Sequence, residues 1–189
     1  MTRVSTTPPK AAGARKRIAK STPRTLTEFM AQALAMEREA AERYSDLADA
    51  MEAHNNRDVA ALFRKMAGIE RKHASRIMVE MGWKDMPASP SGTPSWEGFE
   101  APETTPGDEV HYLMQPYHAL QLALVNEQRA ERFFARLARA AVAESVRAAA
   151  RELHAEEREH VKLVRAWMKT VPKPDRDWAN DPDPATTTD

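Results

Sequence analysis

The sequence contains two Glu-x-x-His motifs, Glu70–His73 and Glu157–His160, and each lies on the apolar stripe of a helical segment. Residues three apart on a helix share one face, so the Glu and the His of each motif project to the same side. That side is the one that a helix normally turns toward the protein interior. Burying an unpaired carboxylate costs several kcal/mol or more, so these carboxylates require a positively charged partner. The motifs therefore predict a helical protein with charge in its core.

The first and third helical segments also carry a carboxylate in the middle of the apolar stripe, at Glu37 and Glu127. Four carboxylates and two imidazoles then point inward, and two imidazoles cannot neutralise four carboxylates. Two divalent cations carry the matching charge, whereas the alternative is a set of buried salt bridges with Arg. The predicted helices lie near residues 25–54, 57–81, 116–140 and 143–169. The candidate metal ligands are Glu37, Glu70, His73, Glu127, Glu157 and His160.

The two halves of the chain repeat one pattern. Residues 37–50 match residues 127–140 at an offset of 90, and residues around 70 match those around 157 at an offset of 87. Each half reads as a helical hairpin with one Glu on its first helix and Glu-x-x-His on its second. Two such hairpins would surround a two-metal site with approximate twofold symmetry. The matched pairs include Glu37/Glu127, Ala40/Ala130, Tyr44/Phe134, Glu70/Glu157 and His73/His160.

Residues 82–107 separate the two hairpins and hold four of the six Gly and five of the 13 Pro, which predicts a long connection without helix. Equivalent hairpins converge on one site if the second and third helices run parallel. The connection must then travel the length of the bundle, which is about 40 Å for a helix of this size. The sequence thus predicts a helical domain over residues 25–170, with a disordered basic arm at 1–24 and a disordered acidic tail at 171–189.

The composition excludes several classes of protein. The chain of 189 residues has no Cys, which rules out disulfides, thiolate zinc sites and thiol catalysis. Its 28 basic and 28 acidic residues cancel, which argues against a uniformly basic nucleic-acid binder. No apolar run approaches the roughly 20 residues of a membrane span, and the first residues lack the apolar core of a signal peptide. We therefore expect a cytoplasmic protein without membrane contact.

These motifs resemble those of the ferritin-like di-iron carboxylate proteins, which combine a Glu from each of two helices with Glu-x-x-His from the other two. Within that group the chain is most similar to the rubrerythrin and bacterioferritin branch. The resemblance covers about residues 25–169 and implies an all-α, ferritin-like four-helix bundle with a long crossover between the second and third helices. The motifs that carry it are Glu37-x-x-Ala40-x-x-x-Tyr44, Glu70-Arg-Lys-His73, Glu127-x-x-Ala130-x-x-x-Phe134 and Glu157-Arg-Glu-His160.

The resemblance also implies roles for the site residues. Glu70 and Glu157 would bridge two iron ions, although carboxylate and imidazole ligands also suit manganese and zinc. Tyr44 would lie near the site without ligating the metal. The remaining ligands would divide into two pairs, with Glu37 and His73 on one ion and Glu127 and His160 on the other. A homodimer is the expected assembly.

The chain departs from rubrerythrins at two points. The four-Cys rubredoxin domain that rubrerythrins usually carry is lacking, so a separate electron-donor protein would be needed. The additional Glu one turn after the third-helix ligand is replaced by Ala130. The symmetric set of four Glu and two His is closer to that of bacterioferritin, but the chain has no fifth helix for a ferritin-type cage.

Three functions are consistent with the sequence, and the basic arm adds a further question. The first is a di-iron oxidoreductase that oxidises ferrous iron or reduces oxygen or peroxide in oxidative-stress defence or iron handling. The second is a metal-binding protein with little turnover, and the third is a structural helical bundle with a fortuitous polar core. The basic arm is read as a passive tail, a contact to nucleic acid, or an organelle transit peptide.

Overall fold

The computed structural model describes residues 23–87 and 111–180. In these two ranges the chain forms four long helices and no strand. Each helix begins and ends within a residue or so of the predicted bounds, and the all-α prediction is confirmed. The helices are α1 (Leu26–Ala53), α2 (Arg57–Glu80), α3 (Pro116–Ala140) and α4 (Glu144–Met168).

The start of α1 is fixed by Thr25, which caps the helix. The Thr25 hydroxyl accepts a hydrogen bond from the Glu28 backbone N–H at 3.1 Å, and the Glu28 carboxylate accepts from the Thr25 N–H at 3.3 Å. This reciprocal pair satisfies two backbone donors that the first turn leaves without helical partners. Pro116 occupies the first turn of α3, where its missing N–H costs no hydrogen bond.

Two short turns join the helices into hairpins. Residues 54–56 connect α1 to α2, and Asn55 adopts a left-handed conformation with φ of 58°. Asn tolerates this region better than most residues with a side chain, so it suits a chain reversal between helices. Residues 141–143 connect α3 to α4, and α1 packs along α2 just as α3 packs along α4.

Asn56 fixes the direction of the second hairpin relative to the first. Its side-chain amide donates to the carbonyl oxygens of Tyr112 and Met114, at 3.1 and 2.7 Å. The start of α2 therefore lies beside the start of α3, and the two helices run parallel from the same end of the bundle. This is the arrangement that the long connection predicted, although residues 88–110 lie outside the described parts of the chain.

The core consists of two apolar clusters separated along the bundle by a polar layer. The first cluster includes Phe29, Met30 and Phe134, and the second includes Met51, Phe63 and Leu120. On α1 the first cluster ends at Met36 and the second begins at Tyr44, so Glu37 lies at the boundary. The polar layer is thus held between two blocks of tightly packed side chains, which limits the entry of water.

The region after α4 has an aromatic contact to the body that its acidic composition did not predict. Trp178 packs against the ring of His118 with centroids 3.9 Å apart, and it joins the second apolar cluster. Residues 181–189 and residues 1–22, which include nearly all of the basic arm, lie outside the described ranges. None of the described helices is long and apolar enough to cross a membrane.

Candidate metal centre

All four carboxylates predicted to point inward are buried. The exposed fractions of Glu37, Glu70, Glu127 and Glu157 lie between 1% and 3%. Each comes from a different helix, because each occupies a mid-helix position on the stripe that packs inward. The repeat in the sequence is therefore a repeat in space, with one buried carboxylate supplied by every helix of the bundle.

The first half of the chain supplies a compact group of three side chains. His73 Nδ1 lies 3.2 Å from Glu70 Oε2, its partner on α2, and 3.4 Å from Glu37 Oε2 on α1. One donor atom from each residue lies within 4.8 Å of the others. The i,i+3 spacing on α2 and the packing of α1 along α2 together produce this group.

The second half supplies a matching group. His160 Nδ1 lies 3.2 Å from Glu157 Oε2 on α4 and 3.3 Å from Glu127 Oε2 on α3. These separations differ from those of the first group by at most 0.1 Å, so the two groups have nearly the same internal geometry. All six predicted residues are therefore brought together as two Glu–Glu–His sets.

The two groups meet through their imidazole rings. His73 and His160 stack with ring centroids 4.4 Å apart and planes 4° from parallel. Both rings are mostly buried, with side-chain exposures of 16% and 17%. The two sets thus form one continuous polar centre between α2 and α4.

Burial strongly alters the acidity of these groups. It raises the pKa of Glu37 to about 7 and that of Glu70 to about 8, with nearby Glu127 adding to both effects. The pKa of Glu157 is also raised well above its ordinary value by burial. Burial alone would lower the pKa of His160, but its hydrogen bonds to Glu127 and Glu157 raise it to about 11. The carboxylates therefore lack sufficient positive charge around them.

Arg side chains do not supply that charge. Across the described ranges, the ion-pair partners of the four buried carboxylates are His73 and His160 alone. Glu37 Oε2 is buried and, although His73 Nδ1 lies 3.4 Å away, the two atoms form no hydrogen bond, and no other group in the described ranges donates one to this oxygen. An orphaned buried carboxylate oxygen is unfavourable and marks a position where a cation is expected.

The donor atoms fit a metal ion in type and in spacing. Carboxylate oxygen with imidazole nitrogen is a common ligand set for divalent first-row metals. Two donors bound to one ion at about 2.1 Å, with angles of about 90–110° between them, lie roughly 3.0–3.4 Å apart. The separations of 3.2–3.4 Å between His Nδ1 and the carboxylate oxygens fall in this range. The His–carboxylate separations in both groups are therefore suited to one bound ion each.

Tyr44 lies close to the centre and has a polar partner that the sequence analysis missed. The buried Asn126 donates from Nδ2 to the Tyr44 hydroxyl at 3.2 Å, and the phenol ring stacks on Phe63. Comparison of the two repeats could have indicated this pair. The matched positions are Met36 for Asn126 and Phe134 for Tyr44, so the polar pair between α1 and α3 corresponds to an apolar pair between the same two helices.

The remaining histidines lie apart from the two groups. His154 Nε2 is 3.8 Å from Glu131, and both side chains are 30% exposed. His118 Nδ1 accepts the Gln115 backbone N–H at 3.0 Å, and His111 Nδ1 accepts that of Leu113 at 3.1 Å. These contacts are structural.

Comparison with known proteins agrees with this centre. A model of the rubrerythrin family matches residues 28–168, which include all four helices and all six candidate ligands. The chain belongs to the rubrerythrin family. A solved structure of an uncharacterised conserved protein from Magnetospirillum magnetotacticum MS-1 is 39% identical, with a TM-score of 0.61. That match covers 80% of this chain and 98% of the other. A comparison with curated proteins found no match.

Family membership makes the replacement at Ala130 informative. Ala130 lies one turn beyond Glu127 on α3 and is fully buried, as is its repeat partner Ala40 on α1. Neither position can supply a further carboxylate. The centre of this rubrerythrin-family chain is therefore symmetric in its candidate ligands, and its asymmetry lies in surrounding residues such as Tyr44 and Asn126.

Proposed function

We propose that the chain is a di-iron oxidoreductase that oxidises ferrous iron or reduces oxygen or peroxide, in oxidative-stress defence or iron handling. The observation that carries the proposal is the pair of matching Glu–Glu–His groups, brought face to face by the stacked rings of His73 and His160. Buried carboxylates in such numbers require cations, and the family supports iron as the metal.

The six side chains would divide the work of binding two ions. Glu37 and His73 would hold one ion, and Glu127 and His160 the other. Glu70 and Glu157 would contact both, since each comes from a helix that lines the shared centre. Metal binding would displace protons from the metal-free site, because burial raises the pKa of Glu70 to about 8 and holds that carboxyl neutral near pH 7.

When bound, two ferrous ions would supply the two electrons that, with two protons, reduce one hydrogen peroxide molecule to two water molecules. The chain's own residues provide the fixed ligand geometry and a core that excludes water from the centre. The chain has no Cys for a thiolate-ligated electron carrier, so repeated turnover with peroxide would need a separate donor protein. Ferrous iron itself is the electron source if the activity is ferrous oxidation.

The second candidate is a metal-binding or iron-handling protein without turnover. Ala130 favours it, because rubrerythrins have an additional Glu one turn after the third-helix ligand, where this chain has Ala130. Manganese or zinc at the same ligands would be consistent with this function.

Metal analysis of the protein as isolated, with anomalous scattering at the iron and zinc edges, tests the proposal first. We expect two ions per chain. Stopped-flow absorbance after adding ferrous iron, with oxygen and separately with peroxide, then tests turnover. Oxidation faster than in buffer supports the oxidoreductase, whereas binding of two ions without faster oxidation supports the second candidate.

A matched pair of variants on α2 tests the ligand assignment. Glu70→Ala should lose at least one of the two ions, while Glu80→Ala, at an exposed position on the same helix, should keep both. Unchanged stoichiometry in Glu70→Ala would contradict the assignment.

A further inference from the structure

A small cleft leads from the protein surface to the Glu127–His160 group. The cleft is narrow, with a cavity volume of about 10 Å³, and part of it is open to solvent. Its outer side includes Leu163, which is 40% exposed, and its inner side includes the buried Glu127 carboxylate. The lining is otherwise apolar and consists of Met66, Ile69, Val164 and Trp167.

The edge of this cleft carries a positive charge. The Lys65 ammonium lies 3.6 Å from the centre of the Trp167 ring, a distance typical of a cation–π contact. A cation approaching from solvent would be repelled by Lys65 and would then have to shed its water against apolar side chains. The cleft is therefore unfavourable for ferrous ions and favourable for small uncharged molecules.

The repeat shows what occupies the equivalent position on the other half of the centre. At the offset of 87, Ile69 matches Glu156 and Leu163 matches Arg76. These two matched residues form an ion pair between α2 and α4. The site beside Glu37 and His73 is thus covered by a salt bridge where the site beside Glu127 and His160 has two apolar side chains.

The charge of the two sides differs in the same way. Lys65 matches Glu152, and Trp167 matches Glu80, both of which are exposed. One side presents apolar residues and an ammonium group, and the other presents three carboxylates and one guanidinium group. Two nearly identical ligand groups therefore have chemically opposite surroundings.

We propose that the cleft between Ile69 and Leu163 is the entry path for a small uncharged oxidant, and that the Arg76–Glu156 side is closed to it. This inference rests on the proposed function, since it assigns the route of the oxidant to the same centre. Dioxygen needs no hydrogen bonds to replace its hydration, so an apolar passage admits it at little cost. Passage on the opposite side would require separating an ion pair.

Xenon tests the cleft without any measurement of activity. Crystals of the full chain pressurised with xenon should show a bound atom against the apolar side chains of the cleft, because xenon prefers apolar contacts to water. Leu163→Trp should remove that atom, and Leu163→Phe, a smaller change at a half-exposed position, should weaken it. Xenon found beside Arg76, or absent from the cleft, would overturn the proposal.

Reaction with dioxygen tests the path in the metal-loaded protein. Leu163→Trp should slow oxidation of bound ferrous ions by about tenfold, with two ions still bound. Arg76→Trp is the matched control on the other side and should leave the rate within about twofold of the original. Equal slowing by both variants, or by neither, would contradict the assigned path. If the unaltered protein oxidises no ferrous iron, the proposed function fails, and the xenon experiment alone decides whether the cleft is a passage.

Discussion

His73 and His160 lie with their rings nearly parallel and 4.4 Å apart, although they come from different hairpins and are 87 residues apart in sequence. Each ring has its Nδ1 within 3.4 Å of two carboxylate oxygens of its own half. The histidines therefore join two ligand groups that the hairpins form separately. Because the centre consists of buried carboxylates and imidazoles, the stability of the protein should depend on bound metal and on pH.

The metal-free protein should become less stable as the pH rises from about 4.5 to about 8. The folded-state pKa values of Glu37 and Glu70, about 7 and about 8, exceed the ordinary value of 4.5. The folded protein then binds more protons than the unfolded chain across this window, so the free energy of unfolding falls with rising pH. The raised pKa of His160 acts in the same direction between 6.5 and about 11. Urea unfolding at several pH values in a chelator measures the slope.

Two controls identify the source of that slope. Glu70→Gln should flatten it, because the amide does not titrate. Adding ferrous iron without oxygen should reverse it, since metal binds the deprotonated carboxylates. A metal-free protein whose stability rises over the same window would contradict the expected pKa shifts.

Glu37→Gln should raise the stability of the metal-free protein while weakening metal binding. The amide keeps the volume of the buried side chain but removes the charge, so the metal-free protein should gain about 1–3 kcal/mol above pH 7. The same change removes one ligand, so metal stoichiometry should fall from two ions to one. Glu42→Gln, at an exposed position on α1, should change neither quantity. Thermal unfolding and metal analysis check both, and unchanged stoichiometry would remove Glu37 from the ligand set.

The bond between Tyr44 and Asn126 should show coupling in a double-mutant cycle. Tyr44→Phe removes the hydroxyl that accepts from Asn126 and should cost about 1–2 kcal/mol of unfolding free energy. Asn126→Met should cost a similar amount. The double variant copies the matched apolar pair of Phe134 and Met36 between the same two helices, so it should cost less than the sum of the single changes. Additive costs in urea unfolding would show that the two groups act independently.

The sequence was sufficient to predict the helices and the burial of the six residues of the centre, because both depend on a local property. A stripe of apolar side chains sets which face of a helix is buried, so a Glu or His on that stripe is placed without knowledge of the tertiary fold. Asn126 lies beside Glu127 and off the predicted stripe, and its burial depends on reaching Tyr44 from another helix. A contact of this kind between two hairpins depends on how far each helix is rotated about its own axis. The spacing of residues along the chain does not give that rotation.

The ion pair of Arg76 and Glu156 illustrates the same limit. Both residues are charged and lie beside the motifs on α2 and α4, where the composition indicates a solvent-exposed face. Only the approach of the two helices reveals that these side chains meet, and that their repeat partners Leu163 and Ile69 line a cleft instead. The repeat predicts that the two sides occupy equivalent positions. Only the packing of α2 and α4 shows that one side holds an ion pair and the other a cleft.

Trp178→Ala should loosen the start of α3 and raise the pKa of His118. Burial lowers that pKa, and Trp178 packs on the His118 ring at 3.9 Å, so removing the indole should hydrate the imidazole. Loss of a partly buried aromatic side chain should cost about 1–3 kcal/mol of unfolding free energy. Hydrogen exchange should quicken at the Gln115 N–H, which His118 Nδ1 accepts. NMR titration of His118 measures the pKa, and Val142→Ala, at a position 92% exposed, is the control that should leave both quantities unchanged. An unaltered pKa in Trp178→Ala would show that other residues keep water from His118.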